Sequence, residues 1–269
     1  MNSVLERVEK YLYIGTMSTK KQLKINQLLS THPQGTVLTS MWLGQQGYSL
    51  DLQKRYKRSH WFESIGSGAL IRTGDQVDYL GGIYALQAQL GSSLHPGGKT
   101  ALQLQGKSHY LELSSKHVIL FAGEEESPPT WFAKWDWGIK LEVHKSAFLP
   151  QQLGLVDLDC KTFTVKVSHP IRAIMECLYL APQKQPLMEM YELLEGLNNV
   201  RPTLVQNLLE QCRSIKVKRL FLYLAEKAGH EWFDYLTLSN IDLGKGKRSF
   251  AKDGSYNRKY QITVPKELV

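Results

Sequence analysis

Apolar positions at the start of the chain recur at helical spacing. Val4, Val8 and Leu12, with Leu5 beside them, share one stripe over residues 2–13, and Leu23, Ile25, Leu28 and Leu29 share another over residues 20–30. His32-Pro33-Gln34-Gly35 ends the second helix, and Thr36–Leu38 is a short β-prone run. Thr39 or Ser40 is placed to cap a helix over MWLGQQ; Gly47 supplies a tight turn, and Ser49 caps the next helix. In that helix Leu52 and Tyr56, four apart, mark the inner face, so Lys54 and Arg58 point outward with Gln53 and Lys57 flanking. Two short runs on either side of Gly66-Ser67-Gly68 predict a hairpin. Helix, helix, turn, helix, hairpin is the order of a winged helix-turn-helix.

Tyr79, Ile83, Tyr84 and Leu86 predict a helix coupling this unit to the rest of the chain. Residues 110–121 read as two strands joined at Ser114-Ser115. Lys140–Val143 and Thr162–Val167 are further strands, with an apolar, loop-like segment at Leu149–Val156 between them. The remainder is largely helical. Ser168-His169-Pro170 starts one helix, with Ser168 as cap, and similar patterns cover 187–197, 202–212 and 215–228, with His230 expected as a cap beside the last helix dipole. The last thirty residues return to strand and turn. The expected fold is α+β: a winged helix-turn-helix domain with an N-terminal helical extension over 1–92, then a larger mixed α+β domain over 93–269. Several helices and a terminal basic hairpin belong to the second domain.

Composition is ordinary for a globular protein, with 42% hydrophobic and 22% charged residues in 269. The formal net charge of +8 changes the picture only through its placement. Lys54, Arg55, Lys57 and Arg58 fall between Gln53 and His60 with no carboxylate among them. Such a run by itself describes a solvated helix face; the cap, turn and hairpin around it describe a helix that enters a major groove. The candidate DNA-binding set is Ser49, Gln53, Lys54, Arg55, Lys57 and Arg58 with Ser67 and Arg72 from the hairpin. A second basic patch, Lys245, Lys247, Arg248, Lys252, Arg258 and Lys259, fits either an anionic partner or a sheet edge protected by charge.

No catalytic or metal-binding constellation and no cofactor motif emerges. HPGGKT invites a phosphate-loop reading, but Ser93 stands where that loop needs a glycine, so Gly97-Gly98 reads as a helix entry with Lys99 exposed. The glutamates of GEEESPP (123–129) read as solvated, and Asp157 and Asp159 form an isolated D-x-D of the kind frequent in loops. Trp131, Phe132, Trp135 and Trp137 suit core or interface packing better than stacking on bases. Three unpaired cysteines, no secretory leader in MNSVLERVEK and no membrane-length apolar run point to the cytoplasm.

Taken in order, KINQLL (24–29), PQGTVLTSMWL (33–43) and RYKRSHWFESIGSGALIRTGDQVDYLGGIYALQ (55–87) resemble the AbiEi family of antitoxins and transcriptional regulators of bacterial type IV toxin–antitoxin systems. So do HPGGKTALQLQGKSHYL (95–111), SHPIRAIMECLYL (168–180), VKRLFLYLAEKAGHEWF (217–233), and IDLGKGKRSF with KYQITVP (241–250, 259–265). The resemblance begins near residue 20. It implies a winged helix that binds inverted repeats in the promoter DNA of its own abortive-infection operon. It also implies a C-terminal domain that counters a nucleotidyltransferase-like toxin without needing a stable complex. The alternatives from the residues themselves are a protein- or RNA-binding module with secondary DNA binding, or a nucleotidyltransferase-like enzyme; under the resemblance that enzyme is the partner, and this chain is not one.

Overall fold

The computed structural model describes residues 24–107 and 117–269. The expected helix over 2–13, the start of the helix over 20–30 and the first strand and turn of 110–116 lie outside them.

The winged part begins with α1, described over residues 24–31, and continues through β1 (Leu38–Thr39), α2 (Ser40–Gln45), α3 (Leu50–Arg58), β2 (Phe62–Gly66) and β3 (Ala69–Arg72). The three strands form an antiparallel sheet in the order β1-β3-β2, with a bulge between Ser64 and Gly66. Its own core is Ile25, Leu28, Leu38, Leu43, Tyr48, Phe62 and Leu70. Burying several such side chains at about 1.5–3 kcal/mol each is what holds so short a unit together.

A helix, α4 (Tyr79–Tyr84), capped by the Asp78 carboxylate, runs on as a π-helical turn over Ala85–Gln89. The Gln89 side chain accepts from the Thr39 N–H at 2.8 Å and donates to the Val37 carbonyl at 2.8 Å, so one amide satisfies the outer edge of β1 as a strand would. The next elements are β4 (His95–Pro96), α5 (Gly98–Leu104), β5 (His117–Ala122), α6 (Thr130–Lys134) and β6 (Lys140–Lys145). Strand β5 pairs antiparallel with β4 and parallel with β6, the α6 segment making the crossover.

The winged part and these elements share a core: Val37, Ile65, Ala69 and Leu86 pack with Val118, Leu120, Trp131, Phe132 and Val165. Two close approaches require glycine. A Cβ on Gly66 at the hairpin would stand 2.8 Å from that of Trp131, and one on Gly81 of α4 would stand 2.0 Å from the Gly35 carbonyl oxygen.

Strand β7 (Leu155–Asp159) pairs antiparallel with β8 (Thr164–Ser168). The Leu149–Val156 segment is therefore a loop only as far as residue 154, and Asp157 and Asp159 sit on a strand. Four helices come next, α7 (Pro170–Leu180), α8 (Leu187–Glu195), α9 (Pro202–Gln211) and α10 (Ile215–Ala228), around the largest core. The cap of α7 is His169, whose Nδ1 accepts from the Ile171 N–H at 3.2 Å, rather than Ser168. Helix α10 ends at Gly229 in the left-handed conformation, and His230 serves the core instead of the helix dipole. Its Nε2 meets the Leu194 carbonyl at 2.9 Å and its ring stacks on Trp232. The chain closes with β9 (Arg248–Ser249), β10 (Ser255–Asn257) and β11 (Ile262–Val264); β10 and β11 form the terminal hairpin, and β9 adds to it in parallel.

Ser168 is diverted from capping by a buried carboxylate. Glu176, fully inaccessible to solvent, accepts from Ser168 Oγ, Arg172 Nε at 2.8 Å and the Gly98 N–H at 2.9 Å, and faces His95 Nε2 at 3.2 Å. Burial pushes its pKa up, but the His95 hydrogen bond and the Arg172 charge outweigh burial and hold the carboxyl at about 2. Glu176→Gln is expected to destabilise the fold by about 3–5 kcal/mol at pH 7 in urea unfolding, since it strands the Arg172 guanidinium. The folded pKa is depressed, so the carboxylate's contribution is full above pH 4.5 and is lost as pH falls toward 2. The gap between wild type and variant should narrow over that window.

Candidate nucleic-acid interface

Three local devices set α2 and α3 at their angle. Thr39 Oγ1 accepts from the Trp42 N–H at 3.3 Å to cap α2, and Gly47 turns the chain at φ +82°. Ser49 Oγ then accepts from the Leu52 N–H at 3.3 Å to cap α3. Leu52 and Tyr56 pack inward, Tyr56 meeting the edge of Phe62.

Gln53 is only 3% exposed, and its Nε2 donates to the Ser40 carbonyl at 3.2 Å and the Tyr48 carbonyl at 2.8 Å. It is a strut between α2, the turn and α3, and is withdrawn from the groove-facing set. At 100° per residue it stands beside Leu52 on the inner half of the helix, and two backbone acceptors there make a buried amide favourable. Ser49 is exposed, and its Oγ serves the cap as an acceptor.

Lys54, Arg55, Lys57 and Arg58 are all exposed. Lys54 lies 3.6 Å from Asp51, one turn back on the same face, a solvent-exposed pair of little energetic weight. Arg55, Lys57 and Arg58 occupy the last turn of α3, where the helix dipole also favours positive charge.

Beside this helix stands the β2–β3 hairpin. Ser67 is exposed at its tip between Gly66 and Gly68, both at positive φ, and the Ser40 N–H donates to the Gly68 carbonyl at 2.8 Å, tying the tip to the start of α2. Trp131 packs against Gly66, so the hairpin is held from beyond the winged part as well. Arg72 is 8% exposed, and its guanidinium donates to the His32 carbonyl. It braces the end of α1 and leaves the candidate contact set. Its neighbour His32 is held neutral: burial, then the Arg72 charge, push the imidazole down to about 4. Of the eight residues expected from the sequence, the geometry therefore keeps Lys54, Arg55, Lys57, Arg58 and Ser67 outward and free of structural duty.

The second basic patch is also exposed in full: Lys245, Lys247, Arg248, Lys252, Arg258 and Lys259 lie on the terminal sheet and its loops. Lys259 pairs with Glu226, and Lys247 sits 5.2 Å over the Tyr256 ring. Buried Arg219 supports this region by donating to the carbonyls of Leu243, Gly244 and Gly246.

Residues that suggested other chemistry are occupied. The Gly98 N–H that a phosphate would need is bonded to Glu176, and Lys99 is half-buried and paired with Glu189 at 2.5 Å instead of exposed. Glu126, expected in solvent, accepts from Ser92 and Ser93, while Glu124 and Glu125 are exposed. An open cleft of about 660 Å³ between Gly35, Asp75, Asp78 and the β7–β8 turn gathers carboxylates. Each accepts a backbone N–H: Asp75 from Gly35, Asp78 from Leu80 and Gly81, and Asp159 from Lys161. Asp157 pairs with Lys166 at 2.6 Å. Among the described residues no His, Cys, Asp or Glu group is placed to hold a metal ion, and no helix is long and apolar enough to cross a membrane.

Comparison with known proteins bears on the whole of this arrangement. No curated protein matches. The crystal structure of the RV2827C protein from Mycobacterium tuberculosis is similar over 88% of both chains with a TM-score of 0.56; at 14% identity the likeness is one of fold. Residues 21–113 match the family model described as the AbiEi antitoxin N-terminal domain, transcriptional regulator. Residues 115–265 match the model described as transcriptional regulator, AbiEi antitoxin, type IV toxin–antitoxin system. The chain belongs to the AbiEi antitoxin family of type IV toxin–antitoxin transcriptional regulators.

Proposed function

We propose that the winged part binds promoter DNA of the chain's own operon and represses it. The observation that carries this is the outer face of α3. Lys54, Arg55, Lys57 and Arg58 are exposed there, while the inner face is anchored through Leu52, Gln53 and Tyr56. Four cations on a rigid helix suit the negative potential of a major groove, and the exposed Ser67 tip suits a wing contact with the sugar–phosphate backbone. Inverted repeats accommodate two copies, as a dimer or as monomers binding in turn.

The second domain, in this proposal, counters a nucleotidyltransferase-like toxin encoded beside it, by opposing the toxin's effect on its target without a stable complex. The six cations of the terminal sheet favour an anionic contact of their own, whether nucleic acid or an acidic protein surface.

Replacing Lys54 and Arg58 with alanine is expected to weaken binding to the upstream DNA at least tenfold in a gel-shift assay with no change in thermal unfolding. Undiminished binding would place the contact elsewhere. Gln53→Ala should lower stability by about 1–3 kcal/mol in urea unfolding, because the buried Tyr48 carbonyl and the half-buried Ser40 carbonyl lose this donor, while leaving base preference in a binding-site selection unaltered. In cells carrying the neighbouring toxin, the full chain with Lys54 and Arg58 both changed to alanine should lose repression of a reporter but still protect. Loss of protection together with repression would show that the two activities share one surface.

A further inference from the structure

The α3 surface has two ends of different chemistry. Its C-terminal half carries the long cations Arg55, Lys57 and Arg58. Its first turn carries none, and there the short side chains of Ser49, Leu50 and Asp51 precede Lys54. With Leu52, Gln53 and Tyr56 inside, a 100° step per residue puts Leu50 on the outward half of the helix, four residues before Lys54 and seven before Lys57. Leu50 is 65% exposed there and belongs to none of the buried clusters of the described residues.

A helix that reads a major groove does so chiefly with its N-terminal residues, and the groove offers hydrogen-bonding edges and the thymine methyl. Of the uncharged hydrogen-bonding side chains at this end, the Gln53 amide is buried on the Ser40 and Tyr48 carbonyls, and Ser49 Oγ accepts from the Leu52 N–H, which leaves its O–H to donate. Asp51 carries a negative charge, which the phosphates on either side of a groove disfavour. The apolar group that this turn presents outward is Leu50, the counterpart a thymine methyl calls for.

We propose that Leu50 reads the 5-methyl group of a thymine at one position of each half-site, the flanking cations of α3 setting the depth through phosphates. This rests on the operator binding proposed above. It assigns sequence preference to a residue with no hydrogen-bonding capacity and leaves to Lys54, Arg55, Lys57 and Arg58 the affinity that is indifferent to sequence.

The test is a deoxyuridine scan with the full-length protein. The protected segment of the upstream DNA is first mapped by footprinting. Its thymines are then replaced one at a time by deoxyuridine, which removes the methyl and keeps every hydrogen-bonding group. Wild type should lose about fourfold in affinity at one thymine per half-site, the worth of burying a single methyl. Leu50→Ala should bind the thymine and deoxyuridine duplexes equally at that position, with discrimination unchanged elsewhere, and Leu50→Met should restore the preference. Because Leu50 is exposed, thermal unfolding should be the same for all three. Discrimination that persists in Leu50→Ala, no methyl-sensitive position in wild type, or an equal weakening on both duplexes (the signature of a contact between protein copies) would overturn the assignment. Absence of any salt-sensitive binding to the upstream DNA would instead sink the operator reading, and this inference with it.

Discussion

The amide of Gln53 decides which way α3 faces. By donating to the carbonyls of Ser40 and Tyr48 it joins the start of α2, the turn and α3 across a few ångströms. With that bond made inside, a helix carrying four cations within five residues has one stable orientation. Lys54, Lys57 and Arg58 cannot be buried without partners, and Leu52 and Tyr56 cannot be exposed without losing the core of the winged part. The hairpin inherits its position from the same region, because the Gly68 carbonyl accepts from Ser40, the residue whose own carbonyl takes the Gln53 amide.

The winged part is not an independent bead. The Gln89 amide completes the edge of β1, Trp131 fills the space under Gly66, and Thr162 Oγ1 donates to the Gln34 carbonyl at 2.8 Å. Each of these joins the winged elements to residues well beyond them in sequence, and the shared core of Val37, Ile65 and Leu86 with Val118 and Trp131 adds area to the hydrogen bonds. Farther on, Glu176 gathers β4, α5, β8 and α7 around one charge. Such a carboxylate is stable only with every partner in place, which makes the relative placement of those elements specific.

The sequence is legible where the physics is local. Caps at Thr39 and Ser49, the Gly47 turn, the Gly66-Ser67-Gly68 hairpin and the helix that Pro170 starts all appear as expected. Polar groups whose partners are distant are not legible in this way. Gln53 and Arg72 look like surface residues until the carbonyls of Ser40, Tyr48 and His32 are brought to them. Ser168 looks like a cap until Glu176 takes its hydroxyl. Asp157 and Asp159 look like a loop motif because β7 alternates half-buried apolar residues with charge and is defined only by pairing with β8. For Leu50 the difficulty runs the other way, since an apolar residue in a basic helix passes for core until its exposure is seen.

The dependence of affinity on salt tests the central claim most directly. Fluorescence anisotropy of the full-length protein on its upstream DNA, across a range of salt concentrations, should give a plot of log K against log salt with a slope of about −3.6 per bound copy if Lys54, Arg55, Lys57 and Arg58 each neutralise a phosphate. A slope near zero, or one that is the same with Lys54 and Arg58 replaced by alanine, would contradict the assignment of this helix as the surface that meets DNA.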